Sequence, residues 1–298
     1  MTFRICLRFL VLAALVTLSV AVAAPPADGP VDTTVMSFNI RYGGADDGVN
    51  SWPHRRDLVL QTIEIRRPAI FGVQECTWDQ GAVLREAFDD YHFTGSGRDD
   101  GEQGGEMCAI FTRNDRYQVL DHGTFWLSET PDVIGSKGWD AALPRIATWV
   151  QLQDRWCDPD TLFVFNTHFD HRGSLAREKS AELLRERMAA IAQGHAVILM
   201  GDFNDPAVLE SPSYRVLMEE DGFTLRDTWS LASREQRMQG EGTFHGFTGE
   251  VTRGRIDWIL VTEDLQGVDA GIDRTQDNGR FPSDHYPVWA TFRLELAN

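Results

Sequence analysis

The chain has 298 residues and carries 45 Asp and Glu against 28 Lys and Arg, a formal net charge of −17. Acidity on this scale repels polyanions and works against non-specific nucleic-acid binding, which depends on Lys and Arg neutralising phosphates; no basic cluster offsets it. Four cysteines, none in a metal-type pair, argue against a disulfide scaffold and a thiolate zinc site.

Arg4 and Arg8 precede an apolar run over 9–22 that contains no acid, and Ala21-Val22-Ala23 gives a small-x-small cleavage pattern. This is read as a secretory signal peptide over 1–23: the run is short for a membrane span, and no later stretch approaches ~20 apolar residues. Cys6 lies before the run, which rules against a lipoprotein. Cleavage removes both arginines and no acid, so the mature chain is more acidic still. Export implies a secreted or periplasmic protein. Of Cys76, Cys108 and Cys157, at most two can pair, and buried thiols are the expected state. Residues 24–298 show no linker, repeat or low-complexity tract and are read as one catalytic domain, long enough for a layered α/β core.

The elements follow in chain order. Residues 33–40 are β-branched and apolar and predict a strand; 41–53 is a Gly/Asp/Asn-rich loop. Leu58, Val59 and Ile63 place a helix over 55–66, stopped by Pro68. Residues 69–73 form a short apolar strand running into Gln74-Glu75, and 78–88 is helical again. This β-loop-α-β-α opening marks layered α/β architecture. A strand is expected at 107–112, and a hairpin of 148–153 with 162–166 across Cys157-Asp158-Pro159-Asp160. Leu183, Leu184, Met188 and Ile191 stripe a helix over 175–193, with Ser174 as its candidate cap. Strands at 196–200, 256–261 and 288–294 complete the prediction.

Acidic, amide and imidazole residues recur just after these strands: Asn39, Glu75, His168 with Asp170, Asp202 with Asn204, and Asp284 with His285. Asp257 lies inside its own strand. Strand ends are where an α/β scaffold holds site residues rigidly while loops admit a ligand. The donors are mostly hard oxygens, which suit Mg²⁺, Mn²⁺ or Ca²⁺, and a His-Glu-x-x-His zinc pattern is absent.

Ser37-Phe38-Asn39, Gln74-Glu75, Asn166-Thr167-His168-Phe169-Asp170, Gly201-Asp202-Phe203-Asn204, Arg255-Ile256-Asp257 and Ser283-Asp284-His285-Tyr286-Pro287-Val288 occur in this order. Together they resemble the motif set of the endonuclease/exonuclease/phosphatase superfamily over about 31–294. The strings Gly97-Arg98-Asp99-Asp100, Phe125-Trp126-Leu127-Ser128-Glu129-Thr130-Pro131, Ala142-Leu143-Pro144-Arg145 and Gly242-Thr243-Phe244-His245-Gly246-Phe247 resemble a bacterial secreted branch of it. The resemblance implies a four-layer α/β sandwich: two packed mixed β-sheets flanked by helices.

It also implies roles. Glu75 resembles the main metal-binding carboxylate, with Asn39 beside it, and Asp284 holds the same ion or a second one. Asp202 and Asn204 resemble the pair that orients the attacking water and the phosphate. His285, oriented by Asp257, resembles the histidine next to phosphorus, and His168 a second one. Arg145 resembles a phosphate-binding arginine. Glu106 stands where the nucleases carry a glutamate that supports the second histidine, so a Glu106–His168 pair is expected; the accompanying tyrosine is missing, which weakens a nucleic-acid reading. Asp170, His171 and His245 are further substrate-side candidates, each with a structural alternative. Trp52, Trp126 and Trp139 either rim the site or pack its loops.

The expected activity is metal-dependent hydrolysis of a phosphoester, with Mg²⁺ preferred, then Mn²⁺, with Ca²⁺ possible. The expected substrate is small or linked to a glycan or lipid, and the expected state a monomer with no membrane span after signal removal. A secreted nuclease is the alternative. A two-carboxylate glycoside hydrolase and a non-catalytic binding protein on the same fold are weaker ones.

Overall fold

In the computed structural model the described residues are 31–158, 161–220 and 223–296. The signal peptide reading falls on residues outside them. The elements in order are β1 (Val31–Asn39), α1 (Trp52–Arg66), β2 (Ile70–Cys76), α2 (Trp78–Ala87), β3 (Tyr91–Thr94), β4 (Met107–Arg113), β5 (Tyr117–Trp126), β6 (Ile146–Asp154) and β7 (Cys157–Asp158). There follow β8 (Thr161–His168), α3 (Ser174–Ala192), β9 (Ala196–Asp202), α4 (Pro212–Leu217), β10 (Leu225–Asp227), α5 (Arg234–Met238), β11 (Asp257–Thr262), β12 (Gln266–Ile272) and β13 (Val288–Leu296).

Two mixed sheets result. The first runs β12-β13-β1-β2-β4-β3, with short β7 paired to β13; the second runs β10-β11-β9-β8-β6-β5. In each sheet one central pair is parallel, β1 with β2 and β8 with β9, and the other pairs are antiparallel.

Period-2 alternation builds the layers. Val35, Ile70, Ile110, Val164, Ile198, Met200 and Ile259 share the core between the sheets. Their odd-man neighbours turn outward: Met36, Phe38, Phe71 and Val73 pack with Val59, Ile63 and Leu84 of α1 and α2. On the other side Phe165, Leu199, Trp258 and Leu260 pack with Leu184 and Met188 of α3. The central strands of both sheets are therefore buried on two faces, and the expected four layers are present. Close approach between them has a requirement: a Cβ on Gly72 would lie 2.7 Å from Met200 Sδ and 2.9 Å from Asn166 Cγ.

Boundaries shift by a few residues, α1 beginning at Trp52 inside the expected loop, and one cap differs in kind. Ser174 is the first helical residue of α3 rather than its cap; Gly173 occupies the cap position without a side-chain bond. The carboxylate of distant Asp140 accepts instead from Ala176 N at 2.6 Å and Leu175 N at 3.4 Å. This satisfies orphan amides that a local Ser would otherwise serve. Cys76, Cys108 and Cys157 are all buried, and Cys76 and Cys108 are free thiols. No helix among the described residues is long and apolar enough to cross a membrane.

Candidate active site

The alternation that fills the core also places the site. Along β9 the inward row is Ala196, Ile198, Met200 and then Asp202; along β8 it is Leu162, Val164, Asn166 and then His168. On β1 it passes Val35 and Ser37 to Asn39, and on β11 Asp257 lies in register with Asp202. Each row changes from apolar to polar at the same end of the sandwich, so distant segments converge on the seam between the sheets. Beneath them Gln74 Nε2 donates to Ser37 Oγ at 3.0 Å and Asn166 Oδ1 at 2.6 Å, while Asn166 Nδ2 donates to the Val73 and Ala109 carbonyls.

Local geometry aims the remaining groups. Glu75 sits at an irregularity in the β2–β4 register with φ 57°, a left-handed turn that re-aims a side chain at a strand end. Its carboxylate accepts from Tyr42 N at 2.7 Å and Asn39 Nδ2 at 3.1 Å. Gly201 allows β9 to lie against β8: a Cβ there would sit 2.2 Å from Thr167 O. Phe203, between Asp202 and Asn204, stacks on Trp258 at 4.1 Å and anchors the turn in the core.

Asp202 Oδ2 is the hub. Asn39 Nδ2 donates to it at 2.9 Å, His168 Nε2 lies at 3.5 Å and His285 Nε2 at 3.7 Å. Asp202 Oδ1 accepts from Asn204 N at 2.9 Å. His285 Nδ1 pairs with Asp257 Oδ2 at 2.9 Å, as expected. Asn204 Nδ2 meets His168 Nε2 at 3.0 Å. Of these groups Asp202, Asn204, His168 and His285 line one cleft of about 350 Å³, together with Glu75, Asp284, Glu106, Arg145 and His171, while Asn39 and Asp257 stand behind its wall.

Electrostatics separate the two histidines. Burial alone would keep the His285 ring neutral, but the charges of Asp257 and Asp202 outweigh it and hold the imidazolium to well above the usual histidine range. No carboxylate takes His168 Nδ1, which has no hydrogen-bond partner among the described residues; burial, then the nearby Arg145 charge, push this ring well below that range. Burial, then the charge of Asp257, push the Asp202 carboxyl up to about 7. Burial also raises Glu75, but His285, the Asn39 amide, Tyr42 N–H and Arg41 together reverse this and keep it ionised. Asp284 is raised by burial and by the charge of Glu75.

A cation would relieve that crowding. Glu75 and Asp284 are mutually repelling acids on one cleft, and ligand atoms of Glu75, His168 and Asp202 lie within 4.8 Å of one another. A second such group, Asp202, Asp257 and His285, is already engaged in the His285–Asp257 pair. The oxygen donors of Glu75 and Asp284 fit a hard divalent ion. Asn39 does not present its oxygen to this position: Oδ1 accepts from Arg41 N at 2.9 Å, and the amide nitrogen faces the carboxylates. Through Nδ2 it ties Glu75 to Asp202.

Three expectations are corrected. Glu106 does not pair with His168; Arg98 takes it in a two-pronged ion pair at 2.8 and 2.9 Å. Asp170 is not on the cleft wall. It accepts from Arg172 N and Gly173 N and holds Arg145 Nε at 3.3 Å, so it positions the arginine. His245 is also off the cleft, stacked on Tyr286 at 4.0 Å and against Phe281 at 4.7 Å. His171 does line the cleft, its Nδ1 3.0 Å from Arg145 Nη2. None of Trp52, Trp126 and Trp139 lines it; Trp126 is buried with Nε1 donating to Arg98 O at 2.7 Å. Sequence reasoning missed Arg41, Tyr42, Phe244 and Arg253 on the cleft. Phe244 pairs with His285 in an isolated β-bridge and meets its ring edge-on at 5.1 Å.

Residues 36–285, the stretch that carries this constellation, match the Endonuclease/Exonuclease/phosphatase family, and the chain belongs to that family. It is a hydrolase of a superfamily whose members cleave phosphoester bonds and generally depend on divalent metals. Among solved structures it is similar to a family protein of Bacteroides thetaiotaomicron, 34% identical with TM-score 0.80, covering 90% of this chain and 99% of that one. It is also similar to a mannosyl-6-phosphatase of the same organism, 35% identical with TM-score 0.76, covering 89% and 100%. A protein of Acanthamoeba polyphaga mimivirus is 30% identical over 187 residues, 57% of this chain and 66% of that one.

Proposed function

We propose that this protein is a divalent-metal-dependent phosphoester hydrolase that works outside the cytoplasm on a small or glycan-linked phosphoester. The observation that carries it is the hub at Asp202: one buried carboxylate oxygen flanked by an amide and two imidazoles of opposite protonation tendency. A Mg²⁺ or Mn²⁺ ion held by Glu75 and Asp284 would supply Lewis-acid polarisation of the phosphate oxygens.

The chain's own groups do the rest. Asp202 accepts the proton of the attacking water, and a carboxyl raised to about 7 is suited to that at neutral pH. Asn39 Nδ2 and Asn204 N–H fix its orientation. His285 stays protonated because Asp257 holds Nδ1–H, which leaves Nε2–H to donate to a phosphate oxygen as charge develops. Arg145 Nη1 is buried without a hydrogen-bond partner among the described residues, and this free N–H serves the same phosphate. His168, kept neutral, meets Asn204 and closes the wall.

Three features support a small substrate. The cleft of about 350 Å³ is at the low end for ligand sites. The net charge of −17 disfavours a polyanion. A mannosyl-6-phosphatase is among the similar structures.

The test is a panel assay of the chain without residues 1–23, using p-nitrophenyl phosphate, bis-p-nitrophenyl phosphate, hexose 6-phosphates and DNA, each with Mg²⁺ or Mn²⁺. Turnover of a small ester is expected, lost in EDTA and restored by metal. Activity indifferent to EDTA would overturn the metal role; faster cleavage of DNA at moderate salt would replace the substrate reading with a nuclease.

A further inference from the structure

Arg41 is held with unusual care for a loop residue. Its backbone is left-handed, φ 59°, a conformation that L-residues avoid unless the surroundings impose it. Arg41 N donates to Asn39 Oδ1 at 2.9 Å, and Arg41 O accepts from Arg55 Nη2 and Gln80 Nε2, each at 2.9 Å. Buried Arg55 also reaches the Ile40 and Pro282 carbonyls, so it joins this loop to the segment that carries Asp284. The side chain is fixed as firmly. Nε and Nη2 grip the Asp47 carboxylate at 2.9 Å each, and Nη1 points at Asp284 Oδ2 from 3.7 Å. The guanidinium lines the cleft together with Glu75 and Asp284 and interacts electrostatically with both.

We infer that Arg41 is a resident counter-cation of the metal site, tethered by Asp47 so that it weakens divalent-ion binding at Glu75 and Asp284 without occupying their place. The inference rests on the reading that these two carboxylates hold the ion. The guanidinium offsets part of their charge, and that same positive charge repels an incoming dication. Asp47 matters because its grip keeps Arg41 at 3.7 Å from Asp284, an ion pair beyond hydrogen-bond reach. A released Arg41 closes that distance and competes harder. At a separation of several ångströms in a water-filled cleft, the repulsion between one positive charge and a dication corresponds to about a tenfold change in affinity.

The test titrates Mg²⁺ and Mn²⁺ into metal-free protein at pH 8 by calorimetry, with metal-dependent melting as a second readout. Arg41→Met is expected to bind either ion about tenfold more tightly, and Arg41→Lys to stay near wild type. Asp47→Asn is expected to bind more weakly. In the double variant Arg41→Met/Asp47→Asn that weakening disappears, because the group it acts through is gone. Unchanged or weaker metal binding by a folded Arg41→Met overturns the inference. So does unchanged metal affinity with lost binding of inorganic phosphate, which makes Arg41 a substrate clamp. Absence of metal binding in wild type overturns the metal reading itself and this inference with it.

Discussion

The two ends of the inter-sheet core hold buried charge in opposite ways. At the end away from the cleft, Arg116 and Asp154 are paired at 2.6 Å. The pair is closed: Arg116 Nε and Nη2 both donate to Asp154, whose Oδ1 also accepts from Trp156 N and Cys157 N. At the cleft end Asp257 Oδ1, His168 Nδ1 and Arg145 Nη1 are buried with no partner among the described residues. Asp202 is surrounded by groups yet remains reluctant to ionise. In the Arg116–Asp154 pair a charge serving the fold has its hydrogen bonds completed by the chain. A charge serving chemistry has them left for something else, and it destabilises the fold meanwhile.

The largest effects should come from exchanging those fates. Asp202→Asn is expected to reduce kcat by about 10²–10⁴-fold, the range for loss of a general base, and to raise Tm because a buried, reluctantly ionised acid is gone. Steady-state kinetics and calorimetry on one sample check both halves. A variant that kept its kcat would remove Asp202 from the mechanism. Asp154→Ala should do the reverse. Stranding buried Arg116 costs about 3–5 kcal/mol, read by denaturant unfolding, while kcat per folded molecule stays within about twofold of wild type. A large kcat loss at unchanged stability would show that the two ends are coupled.

The smallest effect concerns His245, the imidazole that sequence placed on the substrate side. Burial first, then the charge of His285, lower its pKa to about 4. The unfolded ring titrates near 6.5, so between these values the unfolded chain binds the extra proton. Stability from the neutral stacked ring is therefore fully present above about pH 6.5 and lost as pH falls through about 4. His245→Phe keeps the stack on Tyr286 and Phe281 and removes the titration. The wild-type-minus-variant Tm difference should move against wild type by a few °C at most between pH 7 and 4.5. A flat difference would show that the ring is not held neutral.

What was legible in the sequence follows from the same burial logic. β1, β2, β8, β9 and β11 are covered on both faces, so their apolar runs stand out, and the polar residue ending each run marks the site. The edge strands β3, β5, β10 and β12 did not stand out. β5 contains Asp121, His122 and Gly123, and β12 contains Gly267, Asp269 and Gly271, because an edge strand need not be apolar on either face. Pairings across the fold were the least legible. Nothing near Ser174 indicates that Asp140 serves the amides of α3, and nothing near Glu106 shows that a loop folds Arg98 back onto it. Arg41 was passed over because a charged residue in a Gly/Asp-rich loop looks like any solvated one. Its left-handed backbone and its partners Asp47 and Asp284 exist only after folding.

Gly72 has a bearing on how such a site can diversify. Asn39 and Glu75 ride on one sheet and His168, Asp202 and Asp257 on the other, so their mutual alignment is only as good as the spacing of the two slabs. Position 72 sets that spacing, with Met200 and Asn166 already where a methyl group would go. Even one added carbon there would act as a shim, parting the proton-accepting half from the ion-holding half with no catalytic side chain altered. A change in a mouth loop retunes what enters, whereas a change in the seam beneath moves the two halves of the site against each other.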